Sequence, residues 1–142
     1  MRCELCGQDG GAVLWRDDFC RVVNVADNAD YPAFCRVILN RHVREMSDLP
    51  PDERRRLMDI VFATETALRD VLQPDKINLA SLGNQVPHLH WHVIPRWTGD
   101  RHFPDPVWAQ PGRESGEAVR RSASAGQLAL ALRARIEAMT HE

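Results

Sequence analysis

The stretch VPHLHWHVIPR, residues 86–96, places His88, His90 and His92 in strict alternation with Leu89, Trp91 and Val93. Successive side chains of a β-strand point to opposite faces, so the spacing predicts a strand with three imidazoles on one side and an apolar set on the other. The apolar set can anchor the strand in a core while the imidazoles face a cleft. Two chemistries suit such an array: joint chelation of a divalent metal, or nucleophilic catalysis in which one ring attacks and the others orient or donate protons. The chain has only six histidines, and three in alternation on one short segment are a poor fit to a chance surface.

Outward from that strand, the pattern alternates sheet and helix. Gly10 and Gly11 mark a turn, and AVLWRDDFCRVVNV offers two β-rich runs broken at Asp17 and Asp18, which predicts a hairpin. NADYP reads as a loop, and residues 34–42 as a further strand that ends before the proline-rich break EMSDLPP. Leu57, Ile60, Val61, Leu68, Val71 and Leu72 recur at helical spacing behind the acidic pair Asp52 and Glu53, predicting a helix over about 51–73. KINLASL is a candidate strand that leads through a Gly83-Asn84 loop into the histidine strand. Residues 97–116 are rich in proline and glycine and predict an irregular surface loop, in which Trp108 is read first as packing the loop to the body, with stacking on a base as the other reading. Ser124 and Gln127 have capping-box spacing ahead of Leu128, Leu132, Ile136 and Met139, so an amphipathic helix closes the chain at about 124–140. The expected architecture is α+β: an antiparallel sheet of about five strands, a long central helix and a C-terminal helix.

Composition narrows the partners. A chain of 142 residues, 44% hydrophobic and 27% charged, fits one globular domain over residues 1–142, with a Cys-x-x-Cys segment at 1–12 as its N-terminal part. The net charge of −2 argues against a broad electrostatic footprint for nucleic acid or anionic lipid, and favours a small-molecule partner. The start MRCELCGQDGG lacks a cationic stretch followed by an apolar one, and no run approaches the roughly 20 apolar residues of a membrane span. A cytoplasmic protein is expected, with its four cysteines as reduced thiols or metal ligands. Cys20 and Cys35 sit in apolar strands and read as core. Arg54, Arg55 and Arg56 are consecutive in the predicted helix and splay around about 200° of it, which describes a solvated face better than a phosphate patch.

The segment His88-Leu-His90-Trp-His92-Val-Ile-Pro95-Arg96 resembles the signature of the histidine-triad nucleotide hydrolases and transferases. The resemblance extends from about residue 13 to 100: Pro32, a strand ending in Arg41-His42, a long helix, an Asn-containing strand and the loop Gly83-Asn84-Gln85 follow the family order. It implies that His90 is the nucleophile on the α-phosphorus of a nucleotide such as a dinucleoside polyphosphate or a nucleoside phosphoramidate. His92 would then serve phosphate oxygens or the leaving group. Attack would form a nucleotidyl-histidine that water or another acceptor resolves. Asn78 and Gln85 match positions that in relatives bind phosphate or place the leaving group, as amide N–H groups suit developing charge on phosphoryl oxygens, and Asn84, in the same loop as Gln85, is expected to share that task. The position of the family's ribose-binding acid aligns with Ala26, and Asp27 takes that role with a shift of one residue. The resemblance also implies a homodimer.

Cys3 and Cys6 have the two-residue gap that lets two thiolates bind one Zn²⁺, and a structural site needs two more ligands. Some relatives complete such a site with histidines that map onto His42 and His88. The expected metal site is therefore Cys3, Cys6, His42 and His88, with His90 left for attack and no organic cofactor. Two other readings stand beside this one. One is a nucleotide-binding sensor or scaffold with little turnover. The other is a metalloenzyme that binds catalytic zinc through His88, His90 and His92.

Overall fold

The computed structural model describes residues 3–25, 28–114 and 123–139. A short helix, α1 (Glu4–Gly7), precedes the predicted hairpin, β1 (Ala12–Arg16) and β2 (Cys20–Asn24). Its turn is closed by Asp17, whose Oδ1 accepts the backbone N–H groups of Phe19 and Cys20 at 2.9 and 2.8 Å. Strand β3 (Cys35–Leu39), helix α2 (Pro51–Leu72), β4 (Lys76–Ala80), β5 (His90–Arg96) and α3 (Ala125–Met139) follow. The five strands form one antiparallel sheet in the order β1-β2-β3-β5-β4, so the histidine strand lies between β3 and β4. The expected α+β architecture is the one observed.

The sheet's two faces follow from strand periodicity. Cys20, Val22, Cys35, Val37, Leu39, Ile77 and Val93 turn toward the helices and join Leu57, Ile60, Val61, Leu68 and Leu72 of α2 and Leu128, Leu132 and Ile136 of α3 in the main core. Each fully buried aliphatic side chain there contributes about 1.5–3 kcal/mol from removal of apolar area from water. Burial pushes the Cys20 and Cys35 thiols up to about 12, in keeping with a core role. Proline at the first turn of α2 suits a position whose N–H has no helical partner, and Gln73, left-handed at φ 51°, ends the helix. At α3 the capping box is reciprocal: Gln127 N–H donates to Ser124 Oγ at 3.1 Å and Ser124 N–H to Gln127 Oε1 at 2.9 Å.

The opposite face carries the chemistry. Rows of paired residues there read Arg21–Ile38–His90 and Val23–Arg36–His92–Ala80. Three expectations are revised. The strand predicted over 34–42 stops at Leu39, because Asn40 turns to bond Asp17 O and Arg21. The histidine strand begins at His90 rather than at residue 86, with His88 in the approach to it. A 3-10 turn at Met46–Asp48, read as an irregular break, leads into α2. Arg56 is exposed as expected but also ion-pairs Asp17 and Asp18 and lies over the Phe19 ring, pinning the hairpin turn to α2. No helix among the described residues is long and apolar enough to cross a membrane.

Candidate functional site

His88 and His90 do different work although they are two residues apart. His88 is fully buried, and its Nε2 lies 2.6 Å from Leu39 O. A carbonyl only accepts, so Nε2 carries the proton and Nδ1 the lone pair. That Nδ1 faces Cys3 Sγ at 3.2 Å, Cys6 Sγ at 3.5 Å and His42 Nδ1 at 3.3 Å, while Cys6 Sγ is 3.5 Å from His42 Nδ1. One ligand atom from each of the four residues lies within 4.8 Å of all the others. Tetrahedral bonds of about 2.3 Å to sulfur and 2.0–2.1 Å to nitrogen separate neighbouring ligands by roughly 3.3–3.8 Å. The donor set, its spacing and the tautomer of His88 all fit a tetrahedral metal ion. These four are the residues expected from the sequence.

The N-terminal segment is carried to that place by Arg21, a buried arginine on β2. Its guanidinium donates to Leu5 O at 2.7 Å, Gln8 O at 3.0 Å and Asp9 O at 2.9 Å, and to Asn40 Oδ1 at 3.0 Å. Leu5 packs on Val23 and Ile38 in a small satellite core. Gly10 follows with φ 87°, where a Cβ would meet Ile38 and Leu5 at 2.8 Å, so only glycine fits. The role of Arg21 was not visible in the sequence, where an arginine in an apolar strand carries no signal for what it will bond.

His90 Nδ1 lies 2.6 Å from His88 O. The same reasoning puts the proton on Nδ1 and leaves the Nε2 lone pair available as a nucleophile or base. Burial is the main cause lowering the His90 pKa, and Arg36 adds to it, so the ring is neutral at pH 7. Burial also lowers His92, to about 3, with His90 and Arg36 adding to the effect. The two rings meet edge to face with centroids 4.9 Å apart. Both line a cavity of about 420 Å³ with Arg36, Leu82, Gly83, Asn84, Gln85, Val86, Trp108 and, from α1, Glu4 and Leu5.

Of the predicted substrate residues, Asn84 and Gln85 are thus brought to His90 and His92. Asn78 lies in an adjoining cleft of about 720 Å³, and its Oδ1 accepts from Arg96 Nη1 at 2.7 Å. Asp27 and Ala26 lie outside the described residues. The three triad histidines do not converge on one point. Among the described residues the metal-capable group takes His88 alone of the three.

Trp108 does more than pack its loop. It is 52% exposed, stands edge to face with His92 and Phe34 at 5.0 and 6.4 Å, and borders both cavities. Among its described residues the loop has no regular element, as expected, but it is pinned by buried Asp100. That carboxylate pairs with Arg96, accepts the backbone N–H groups of Trp97, His102 and Phe103, and accepts Tyr31 OH at 3.0 Å. These bonds hold its pKa well below the usual carboxylate range against the opposing effect of burial.

A sequence model of the HIT domain matches residues 8–99. The chain belongs to the HIT domain family. Over 78 residues this HIT domain protein is 32% identical to the AP-4-A phosphorylase of Mycobacterium tuberculosis, a match covering 51% of this chain and 40% of that protein. Over 90 residues it is 29% identical to the asymmetrical bis(5'-nucleosyl)-tetraphosphatase of Schizosaccharomyces pombe, covering 60% of this chain and 50% of that one. It therefore spans half or less of the length of those curated relatives. A histidine triad protein from Bradyrhizobium japonicum has a solved structure that superposes with a TM-score of 0.69 at 31% identity, covering 90% of this chain and 92% of that one. The described fold is that of HIT structures.

Proposed function

We propose that the protein is a nucleotide hydrolase or nucleotidyltransferase that attacks the α-phosphorus of a dinucleoside polyphosphate or nucleoside phosphoramidate through His90. The observation that carries this reading is the His90 Nδ1–His88 O bond, which leaves Nε2 as the free-lone-pair nitrogen of a ring lining a cavity with two side-chain amides. Nε2 forms a bond to phosphorus as the bond from phosphorus to the leaving group breaks. Water then splits the P–N bond, releasing a nucleoside monophosphate, or another acceptor takes the nucleotidyl group. Asn84 and Gln85 donate N–H groups to phosphoryl oxygens as their charge grows. His92, neutral and beside His90, hydrogen-bonds a phosphoryl oxygen or the departing group. Asn78 holds Arg96 in place, and through it the Trp108 loop. Asp27 is assigned to the ribose. The similarity to an AP-4-A phosphorylase and an asymmetrical tetraphosphatase supports a dinucleoside polyphosphate as the first substrate to try.

The group at Cys3, Cys6, His42 and His88 is assigned to Zn²⁺, on its two thiolate and two imidazole donors. Bound there, zinc supplies position rather than Lewis acidity, tethering the N-terminal segment to the approach to β5. The chain is taken to act as a homodimer.

The test is intact-mass analysis after brief mixing with diadenosine tetraphosphate and with adenosine phosphoramidate, for wild type and His90→Ala. A nucleotidyl adduct and product from wild type, both absent from His90→Ala, is the expected result. Binding without turnover by wild type would favour the sensor reading instead. Full turnover by His90→Ala would remove His90 as nucleophile.

A further inference from the structure

Glu4 is the only acidic side chain among the described residues that line the His90 cavity. A carboxylate is out of place beside phosphate, because it accepts hydrogen bonds, donates none, and repels phosphoryl oxygens. Its side chain makes no hydrogen bond or ion pair among the described residues. The backbone nevertheless fixes it at the wall: Gln8 N–H donates to Glu4 O at 2.9 Å, and Arg21 bonds the carbonyl of the next residue, Leu5, at 2.7 Å.

The packing of α1 on the sheet shows which part of a ligand Glu4 meets. Leu5 rests on Ile38, the cross-strand partner of His90, and on Val23, which is one strand further toward the hairpin and nearer the end of β2. Asp27, assigned to the ribose, follows β2 in the chain. Helix α1 therefore borders the cavity on the nucleoside side of His90, whereas Leu82 and Trp108 also border the cleft beside β4. Val86 packs against the same apolar cluster as Leu5. This end of the cavity thus offers hydrocarbon for the faces of a flat ring and one acceptor-only group for its edge, the usual division of labour in a pocket that orients a small molecule.

We infer that Glu4 reads the base of the reacting nucleotide and makes the protein selective for guanine. This rests on the reading of the His90 cavity as a nucleotide site. Guanine carries two adjacent donors, N1–H and N2–H, which match the two oxygens of a carboxylate. Adenine sets N6–H beside the N1 lone pair and cytosine sets N4–H beside N3, while uracil flanks N3–H with two carbonyl oxygens. Each of those three turns a lone pair toward Glu4, so only guanine pairs with both oxygens and opposes neither.

Two measurements test this on wild type, Glu4→Gln and Glu4→Ala: calorimetric binding of guanosine and adenosine monophosphate, and kcat/KM on diguanosine and diadenosine tetraphosphate. Because Glu4 lies between Cys3 and Cys6, melting curves and zinc content check that each variant keeps its fold and its metal. Wild type is expected to favour guanine about 10- to 100-fold in both measurements, the scale of a hydrogen bond to a charged group. Glu4→Ala should remove that preference. Glu4→Gln should turn it toward adenine, since a side-chain amide sets one acceptor and one donor against N6–H and N1. A wild type with no guanine preference would overturn the inference even if both variants failed to fold. A guanine preference that survives in both variants would overturn it too. Guanine-selective binding that is lost in Glu4→Ala, by a wild type that cleaves neither tetraphosphate, would uphold Glu4 and sink the hydrolase reading alone. Neither binding nor cleavage by wild type would remove both.

Discussion

His88 directs its ring at Cys3, Cys6 and His42 while its backbone carbonyl, 2.6 Å from His90 Nδ1, sets the tautomer of the next histidine. One residue thus joins the metal-capable cluster to the candidate nucleophile. Removing its ring leaves His90 chemically intact but loosens the segment whose carbonyl orients it. His88→Ala is expected to lower kcat on diadenosine tetraphosphate by about 10–100-fold, the usual cost of disturbing an orienting partner, with a much smaller change in KM. Single-turnover adduct formation by mass spectrometry measures it. An unchanged kcat would break the proposed link between the two sites.

The four-ligand cluster predicts one zinc per chain in protein purified without added metal, read by elemental analysis. Cys3→Ser and Cys6→Ser should each lose most of it. Because an ion that binds only the folded state stabilises it by mass action, chelation of wild type should lower Tm by several degrees, and the serine variants should not respond to chelator. Zinc-free wild type with both thiols open to alkylation would remove the assignment.

Much of this arrangement could be read from the chain because its signals are local or repeat at a fixed period. The Leu57-to-Leu72 spacing, the Ser124–Gln127 box and the alternation of His90, Trp91, His92 and Val93 each express a short-range rule, and each appears in the structure close to its expected bounds. In the Cys3, Cys6, His42 and His88 set the gap between the cysteines is a local signal, whereas His42 and His88 are long-range partners that were accessible only through resemblance. The arginines were not legible. Arg21, Arg36 and Arg96 sit in strands whose pattern says nothing about which backbone carbonyls the fold will bring within reach. Arg21 bonds three carbonyls of the N-terminal segment and Arg96 bonds Asp105 O, partners chosen by tertiary approach. The strand start was misplaced for a similar reason. Leu89 N–H donates to Val43 O, outside the sheet ladder, so β5 begins only at His90.

Asp100 and Arg96 are 1% and 2% exposed and bonded through both carboxylate oxygens. Removing one partner strands a buried charge, so Asp100→Ala is expected to cost about 3–5 kcal/mol in urea unfolding at pH 7. The folded pKa of Asp100 is lowered, so its contribution is complete above the unfolded carboxylate value of about 3.9 and is lost as pH falls through the folded value. The stability gap between wild type and Asp100→Asn should therefore be flat from about pH 5 to 7 and shrink below about pH 4. A gap that widens on acidification would contradict the assigned charge state.

Trp108 presents half of its surface to solvent at the boundary of the two cavities, with one edge against His92. A core tryptophan would cost several kcal/mol on truncation, but this one has little to lose in the free protein, so Trp108→Ala should leave Tm within a few degrees of wild type. An aromatic face exposed beside a nucleotide-sized cavity has its value in the complex, where stacking on a base is worth about 1–3 kcal/mol. The expected effect is a rise of about 5- to 100-fold in KM for diadenosine tetraphosphate with kcat nearly unchanged, and Trp108→Phe should recover most of it because the stacking face is kept. A large fall in Tm would return Trp108 to a packing role. Equal losses in the alanine and phenylalanine variants would mean that the indole acts by its N–H or its bulk rather than by its face.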